Sequence, residues 1–549
     1  MIDLLVIADN VLTMDPARPV ARAVAVIGNR VVGVYDDPAQ APAARTTLNV
    51  GPATVVPGFH DAHNHMAWYG LDLLEVDLST PPVHDLAQVY AAVAERAAAV
   101  AQDEWVIGNG YDQNKLGGHP DRDELDRAAG GRKVWLKHTS GHMCQVSSAV
   151  LAELGIAERP VHVEGGLVQT DASGHPTGLL QEQAQNLVSA LVLPYPLAAL
   201  EDAIERAGRR YLAEGITSTT EAGIAGGWIG KSPVELAAYQ RAYDRGRLPV
   251  RVELMVAHDA MHELPAHAED DMPLGLDLGI TTGFGDDWLR IGPAKVFSDG
   301  SLIGRTAAMC CDFDDLPGER GYLQADAGWL HDRIVDLHRS GWRVAAHAIG
   351  DAAIDLVLQA YADAQEVHPR TDARHRVEHF GVSRPDQVAR AAALGVIAVP
   401  QGRFVQEIGD GMIAALGAER TAWAYRQRSL LEAGMCLPGS SDRPVVQGAP
   451  LLGMHAMVNQ RTESGQDFNP AEALTAHQAL HAFTMGSAYA SHAEAAKGSL
   501  TRGKLADLAV LSHDPTRVDA DQIGDIEVEA TIVDGRLAYS KGEVMTTSR

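Results

Sequence analysis

The chain has 549 residues, 46% hydrophobic and 21% charged, which is long enough for a large core and too ordinary in content for wholesale disorder. Its net charge of −27 argues against nucleic acid or an anionic membrane as a partner, since both need a basic footprint. Four cysteines, Cys144, Cys310, Cys311 and Cys436, show no C-x-x-C spacing, which predicts a reduced, cytoplasmic setting.

The first nine residues are apolar but lack a basic stretch and are broken by Asp3, so they read as a strand and not a signal peptide. Leu4–Leu12, Ala23–Ile27 and Val31–Tyr35 are predicted strands, the last following the Gly28-Asn29 turn signal. Further on, helical stretches at Asp85–Val100 and Ile354–Gln365 stand among strand-like runs. Those runs are Ile216–Thr220, Val250–Val256, Ile291–Phe297, Val344–Ala348, Arg376–Phe380 and Val396–Val399. Such alternation is the mark of an α/β architecture. Gly341, Gly395 and Gly434 each separate a helical pattern from the next apolar run, as helix C-caps do. At the C-terminus, Leu508–Leu511 and Ala530–Val533 read as strands, and Asp534-Gly535 is a hairpin turn before Arg536–Tyr539. The β-rich ends predict one small, sandwich-like β domain built from residues 1–57 and 497–549, around a middle spanning 58–496. No uncharged apolar run is long enough to span a bilayer, so a soluble protein is expected.

The chemistry concentrates at strand ends. In Pro57-Gly58-Phe59-His60-Asp61-Ala62-His63-Asn64-His65, an extended backbone turns His63 and His65 to one side, a geometry suited to a divalent metal. Lys295, His347, His379 and Asp442 also lie at or near the C-terminal ends of strand-like runs, Asp442 closing Met435–Asp442. A (β/α)8 barrel takes about 30 residues per βα unit. His347 to His379 is 32 residues, His379 to Asp442 is 63, and Lys295 to His347 is 52, or one, two and one units with an enlarged loop. His65 to Lys295 is 230, which requires an α+β insertion early in the barrel, at about 70–190. The six candidate ligands then fall on strands 1, 1, 4, 5, 6 and 8, on the face where barrel enzymes keep their chemistry.

These motifs resemble the amidohydrolase superfamily, in the branch that includes the N-substituted formamide deformylases. Pro57–His65 is similar to its strand-1 motif, and Lys295-Val296-Phe297-Ser298-Asp299-Gly300-Ser301 to its lysine motif. Ala346–Asp351, Arg376–His379 and Gly439–Val445 resemble its fifth, sixth and eighth strand ends, and Gly498–Leu508 its return to the small sheet. Gly110–Gln113 and Gly141-His142 carry the likeness into the insertion. The resemblance implies that His63, His65 and Asp442 hold one metal and His347 and His379 another, bridged by N6-carboxylated Lys295. It implies zinc, with manganese or iron as alternatives. Ser147 stands where the branch often has Asn, and Pro400-Gln401 reverses its usual order, so contacts there are expected to differ.

Each residue also has a plainer reading. Lys295 could pair with Asp299, and Asp442 could cap a strand. Trp68, Tyr111 and His142 are candidate substrate contacts or packing residues. Glu378 should point away from the face of His379 and reads as structural. His60 or Asp61 could orient an imidazole from behind, and Cys310 and Cys311 read as inert core residues. The expected function is hydrolysis of a C–N bond in a small amide, N-formyl or N-acyl, by a metal-bridging hydroxide with Asp442 as the proton carrier. The rivals are a mononuclear aminohydrolase acting on a heterocycle and a non-catalytic barrel scaffold. A homodimer is left open.

Overall fold

A computed structural model describes residues 1–227, 229–542 and 546–548. Seven parallel strands form the central sheet, in spatial order Phe59–Asn64, Ile216–Ile224, Arg251–Ala257, Leu289–Phe297, Val344–Ala348, Arg376–His379 and Ile397–Val399. Sequence order and spatial order coincide, as in a singly wound barrel. Both faces of these strands are covered, so they read as near-continuous apolar or small runs; all nine residues of Ile216–Ile224 are buried. Helices such as Ala327–Arg339 and Asp351–Val367 pack outside and bury Leu330, Ile334, Val357 and Leu358 against the sheet.

The predicted eighth strand, Met435–Asp442, is not one. The segment carries no strand pairing, although it closes the gap beside the first strand: Ala62 N–H donates to Gly439 O at 2.9 Å, and Asp442 N–H to His63 O at 2.7 Å. Pro438 has no N–H to give a ladder, and Asp442 takes φ +60°, outside the extended region. The barrel is closed by hydrogen bonds without a regular eighth strand.

Between the first and second barrel strands lies a six-stranded sheet running from Val76–Asp77 to Pro176–Glu182. Its helix Leu86–Ala99 starts at Asp85, whose carboxylate accepts the Gln88 N–H at 2.8 Å, and buries Val89, Val93 and Ala97 at a spacing of four. A nine-stranded sheet joins the chain ends, pairing Leu508–Leu511 with Thr54–Pro57, which in turn pairs with Ile2–Leu12. Cys310 and Cys311 are exposed and not core residues, with Sγ atoms 3.2 Å apart. They sit in the loop following the fourth barrel strand, and loops run over the surface. Among the described residues, no single helix is long and apolar enough to cross a membrane.

One buried ion pair ties the barrel to the terminal sheet. Arg251, on the third barrel strand, donates to both Asp507 oxygens at 2.7 and 3.2 Å and to Asp534 Oδ1 at 2.9 Å. The Arg251 and Asp507 side chains are only 3% and 4% exposed. Removing one partner of such a pair strands the other charge without water, at a cost of ~3–5 kcal/mol. Asp507→Ala should therefore lower the thermal unfolding midpoint by several degrees. Asp534→Ala, at a side chain 31% exposed, should lower it much less. Equal midpoints for Asp507→Ala and wild type would remove the pair from the stability account.

Candidate metal centre

The first barrel strand ends at Asn64, and the alternation of an extended chain turns His63 and His65 the same way. Asp442 reaches them across the closing segment. Its Oδ1 lies 3.2 Å from His63 Nε2 and 3.1 Å from His65 Nε2, and the three residues are buried. One donor atom from each falls within 4.8 Å of the others.

The donor chemistry fits a cation. Behind His63, Nδ1 donates to Glu378 Oε2, an acceptor only, so Nε2 carries a lone pair. A lone pair and a carboxylate oxygen face each other at 3.2 Å, which is stable only with a proton or a metal between them. Tetrahedral zinc with bonds of ~2.0–2.1 Å has an edge of about 3.3 Å, close to both observed separations. Behind His65, Glu221 Oε1 lies 3.4 Å from Nδ1. Burial alone would lower the His65 pKa, but Asp442 and Glu221 outweigh it and raise it. Burial also works against the Asp442 carboxylate, yet the His63 and His65 imidazoles hold it well below the usual range.

Lys295, His347 and His379 surround this set. The His379 ring is 4.5 Å from that of His347 and 5.2 Å from that of His63, and its Nδ1 is 3.9 Å from Asp442 Oδ2. Burial, reinforced by neighbouring positive groups, holds both His347 and His379 well below the usual imidazole range. His379 Nδ1 donates to Gln401 Oε1 at 2.8 Å, which leaves its Nε2 lone pair free of that bond. Lys295 is 1% exposed, and its Nζ stands 4.7 Å from the Phe297 ring centroid. Burial lowers its pKa to about 8. Asp299 does not supply the alternative partner. It accepts backbone N–H groups from Ala308, Ile349 and Gly350 and lies 3.3 Å from His347 Nε2.

Several residues behave differently from their sequence reading. Glu378 does stand on the opposite face from His379, but that face is the barrel interior, where it meets His63 from behind. Arg376, two residues earlier on the same face, pairs with it at 2.7 Å, and both are fully buried. His379 itself leaves strand geometry at φ +70°, which carries its ring to the rim. Neither His60 nor Asp61 touches an imidazole. His60 meets Thr220 Oγ1 at 3.4 Å, while Asp61 accepts N–H groups of His63 and Ser441 and so pins the first strand to the closing segment. Ser147, in the insertion, accepts Val134 N–H at 2.9 Å and donates to Arg132 O.

Of the candidate substrate contacts, Tyr111 is 0% exposed in the insertion's own core, with its ring against His119 and His138. Packing, not a pocket, claims it. Trp68 places its ring 5.4 Å from that of His65. His142 places its ring 5.2 Å from that of His347 and is oriented by Glu182 Oε2, 2.8 Å from its Nδ1. Glu182 is wholly buried at φ +50°, a strained conformation for a non-glycine residue, and Gln324 Nε2 holds the same oxygen at 2.6 Å. His142, His379 and Asp442 share a cavity whose other walls include Ile303, Phe404 and Tyr425.

Glu221, Gln401 and Glu182 escaped the sequence reading. The signal for Glu221 was present: an acidic residue within an otherwise uncharged strand run, where burial demands a partner.

A family model described as "Amidohydrolase family" matches residues 50–539. The N-substituted formamide deformylase of Arthrobacter pascens is 30% identical, over 98% of this chain and 99% of that relative. An uncharacterized metal-dependent hydrolase from Pyrococcus furiosus superposes with a TM-score of 0.70 at 25% identity, covering 94% of this chain and 100% of that one. A second, from Pyrococcus horikoshii OT3, gives 0.72 at 24% identity over 94% and 99%, and shares the fold. The chain belongs to the amidohydrolase family.

Proposed function

We propose that the protein is a two-metal hydrolase of a small amide, N-formyl or N-acyl. The observation that carries this reading is the facing of His63, His65 and Asp442 donors at 3.1–3.2 Å, with Glu378 fixing the His63 tautomer. The His347 and His379 imidazoles and the buried Lys295 amine would supply a second donor set beside it. Lys295, as its N6-carboxylate, would bridge the two. Bound divalent ions, zinc first among them, would polarise the scissile carbonyl and make water acidic enough to attack at neutral pH.

The protein's own part is positioning and proton transfer. Asp442 would accept the proton of the attacking water and pass it to the departing nitrogen. Its closeness to both histidines supports that role. His142, oriented by Glu182 at the cavity wall, and Trp68, beside His65, would contact the substrate. The apolar walls around Ile303 and Phe404 would exclude bulk water from the reacting carbonyl. The formyl choice rests on the similarity to the Arthrobacter pascens enzyme, whose name states that activity.

A mononuclear aminohydrolase is the second reading, because only His63, His65 and Asp442 form a compact donor group among the described residues. Elemental analysis of protein purified without chelator and with bicarbonate separates the two. About two divalent ions per chain, with release of free amine from N-formyl or N-acyl amines, is the expected result. One ion per chain with ammonia released from a heterocycle would favour the second reading. No bound metal after reconstitution would sink both.

A further inference from the structure

A cavity lies between the insertion and the barrel, on a different set of walls from the one that holds Asp442. Trp68, Leu71, Trp135 and Leu193 make it largely apolar. It adjoins the metal centre at two points. Trp68 sits beside His65, and Gly141 directly precedes His142.

Two lysines line the cavity, and their circumstances differ. Lys137 is neutralised by Asp72 at 2.9 Å and Glu75 at 2.6 Å. Lys231 has no ion pair among the described residues; its Nζ stands 4.9 Å from the Trp68 ring centroid. The nearby carboxylates of Glu235, Asp72 and Glu221 make no ion pair with it and act on it only through space. Glu235 Oε2 accepts the backbone N–H groups of Lys231 and Ala225, and Glu221 Oε2 accepts the Tyr239 hydroxyl and Ala67 N–H. The insertion fixes the Lys231 backbone, since Tyr195 N–H donates to Lys231 O at 3.0 Å. Trp68 Nε1 is a buried donor without an acceptor among the described residues. A cation on an apolar wall with no carboxylate in contact is incompletely compensated, and an incoming anion supplies the missing contact. Few convergent polar groups in an apolar wall are also how ligand pockets select.

We propose that this cavity receives an apolar arm of the substrate ending in a carboxylate, and that Lys231 selects it. The substrate would then be an amide that carries a free acid group. This deepens the amide-hydrolase reading and rests on it for the reaction, but not for the binding.

Binding is therefore tested without turnover. Titration calorimetry on the metal-loaded full chain compares 3-phenylpropionate with its neutral counterpart 3-phenylpropanol. Wild type should bind the acid at least about tenfold more tightly than the alcohol. Lys231→Met and Lys231→Gln should each abolish that preference with alcohol binding unchanged, and Lys231→Arg should restore most of it. A carboxylate held by the metal ions instead would bind the neutral variants as well as wild type. That result, equal weakening of both probes, or no preference in wild type would overturn the proposal. A failed amide panel would be a separate result, because no hydrolysis is read here.

Discussion

Asp442→Asn is expected to lower kcat by at least about 10³-fold on an amide substrate while the protein keeps its fold. Asparagine is the informative replacement. Position 442 has φ +60°, a left-handed conformation that Asn tolerates better than most residues, so the backbone need not move. The amide preserves the side chain's size but removes the charge that faces His63 Nε2 and His65 Nε2. It also cannot take a proton from water or return one to a leaving nitrogen. Circular dichroism and the thermal midpoint check the fold, and steady-state hydrolysis checks the role. Activity within about tenfold of wild type would show that another group carries the proton.

His63→Ala should lose at least one metal ion per chain and bring turnover below detection. The imidazole serves two partners at once: Nε2 toward Asp442 and Nδ1 on Glu378. Deleting it removes a donor from the only compact donor group among the described residues. The fold should survive, because Glu378 retains its bonds from Arg376 at 2.7 and 2.8 Å and is not left as an unpaired buried charge. Elemental analysis of the variant against wild type reads the effect directly. Unchanged metal content would take His63 out of the ligand set, whatever happened to activity.

The legible parts of this protein are those in which a short stretch of chain dictates its own geometry. His63 and His65 point the same way because extended residues two apart must. The barrel strands announce themselves as apolar runs because they are buried on both faces, and Gly341, Gly395 and Gly434 mark helix ends because each takes a positive φ after a helix. Less legible were features that depend on what stands across the barrel. Alternation separated Glu378 from His379 correctly, yet could not say that the opposite face holds the back of His63. Residue type alone points Cys310 and Cys311 to the core, but chain path, not hydrophobicity, decides the exposure of a loop.

The sequence by itself determined the types of the candidate ligands, their order along the chain and their recurrence at barrel intervals, because five of the six lie in or just after locally encoded strands. Tertiary structure decided the rest. It set Asp442 against the two histidines through a segment that Pro438 keeps from pairing as a strand, and it brought Glu378, Glu221 and Gln401 onto the histidines across gaps of 315, 156 and 22 residues. It also buried Tyr111 while leaving Trp68 and Lys231 on a cavity wall. The physical reason is that a hydrogen bond or a counter-charge depends on distance in space, and only closure of the barrel beneath its insertion sets those distances.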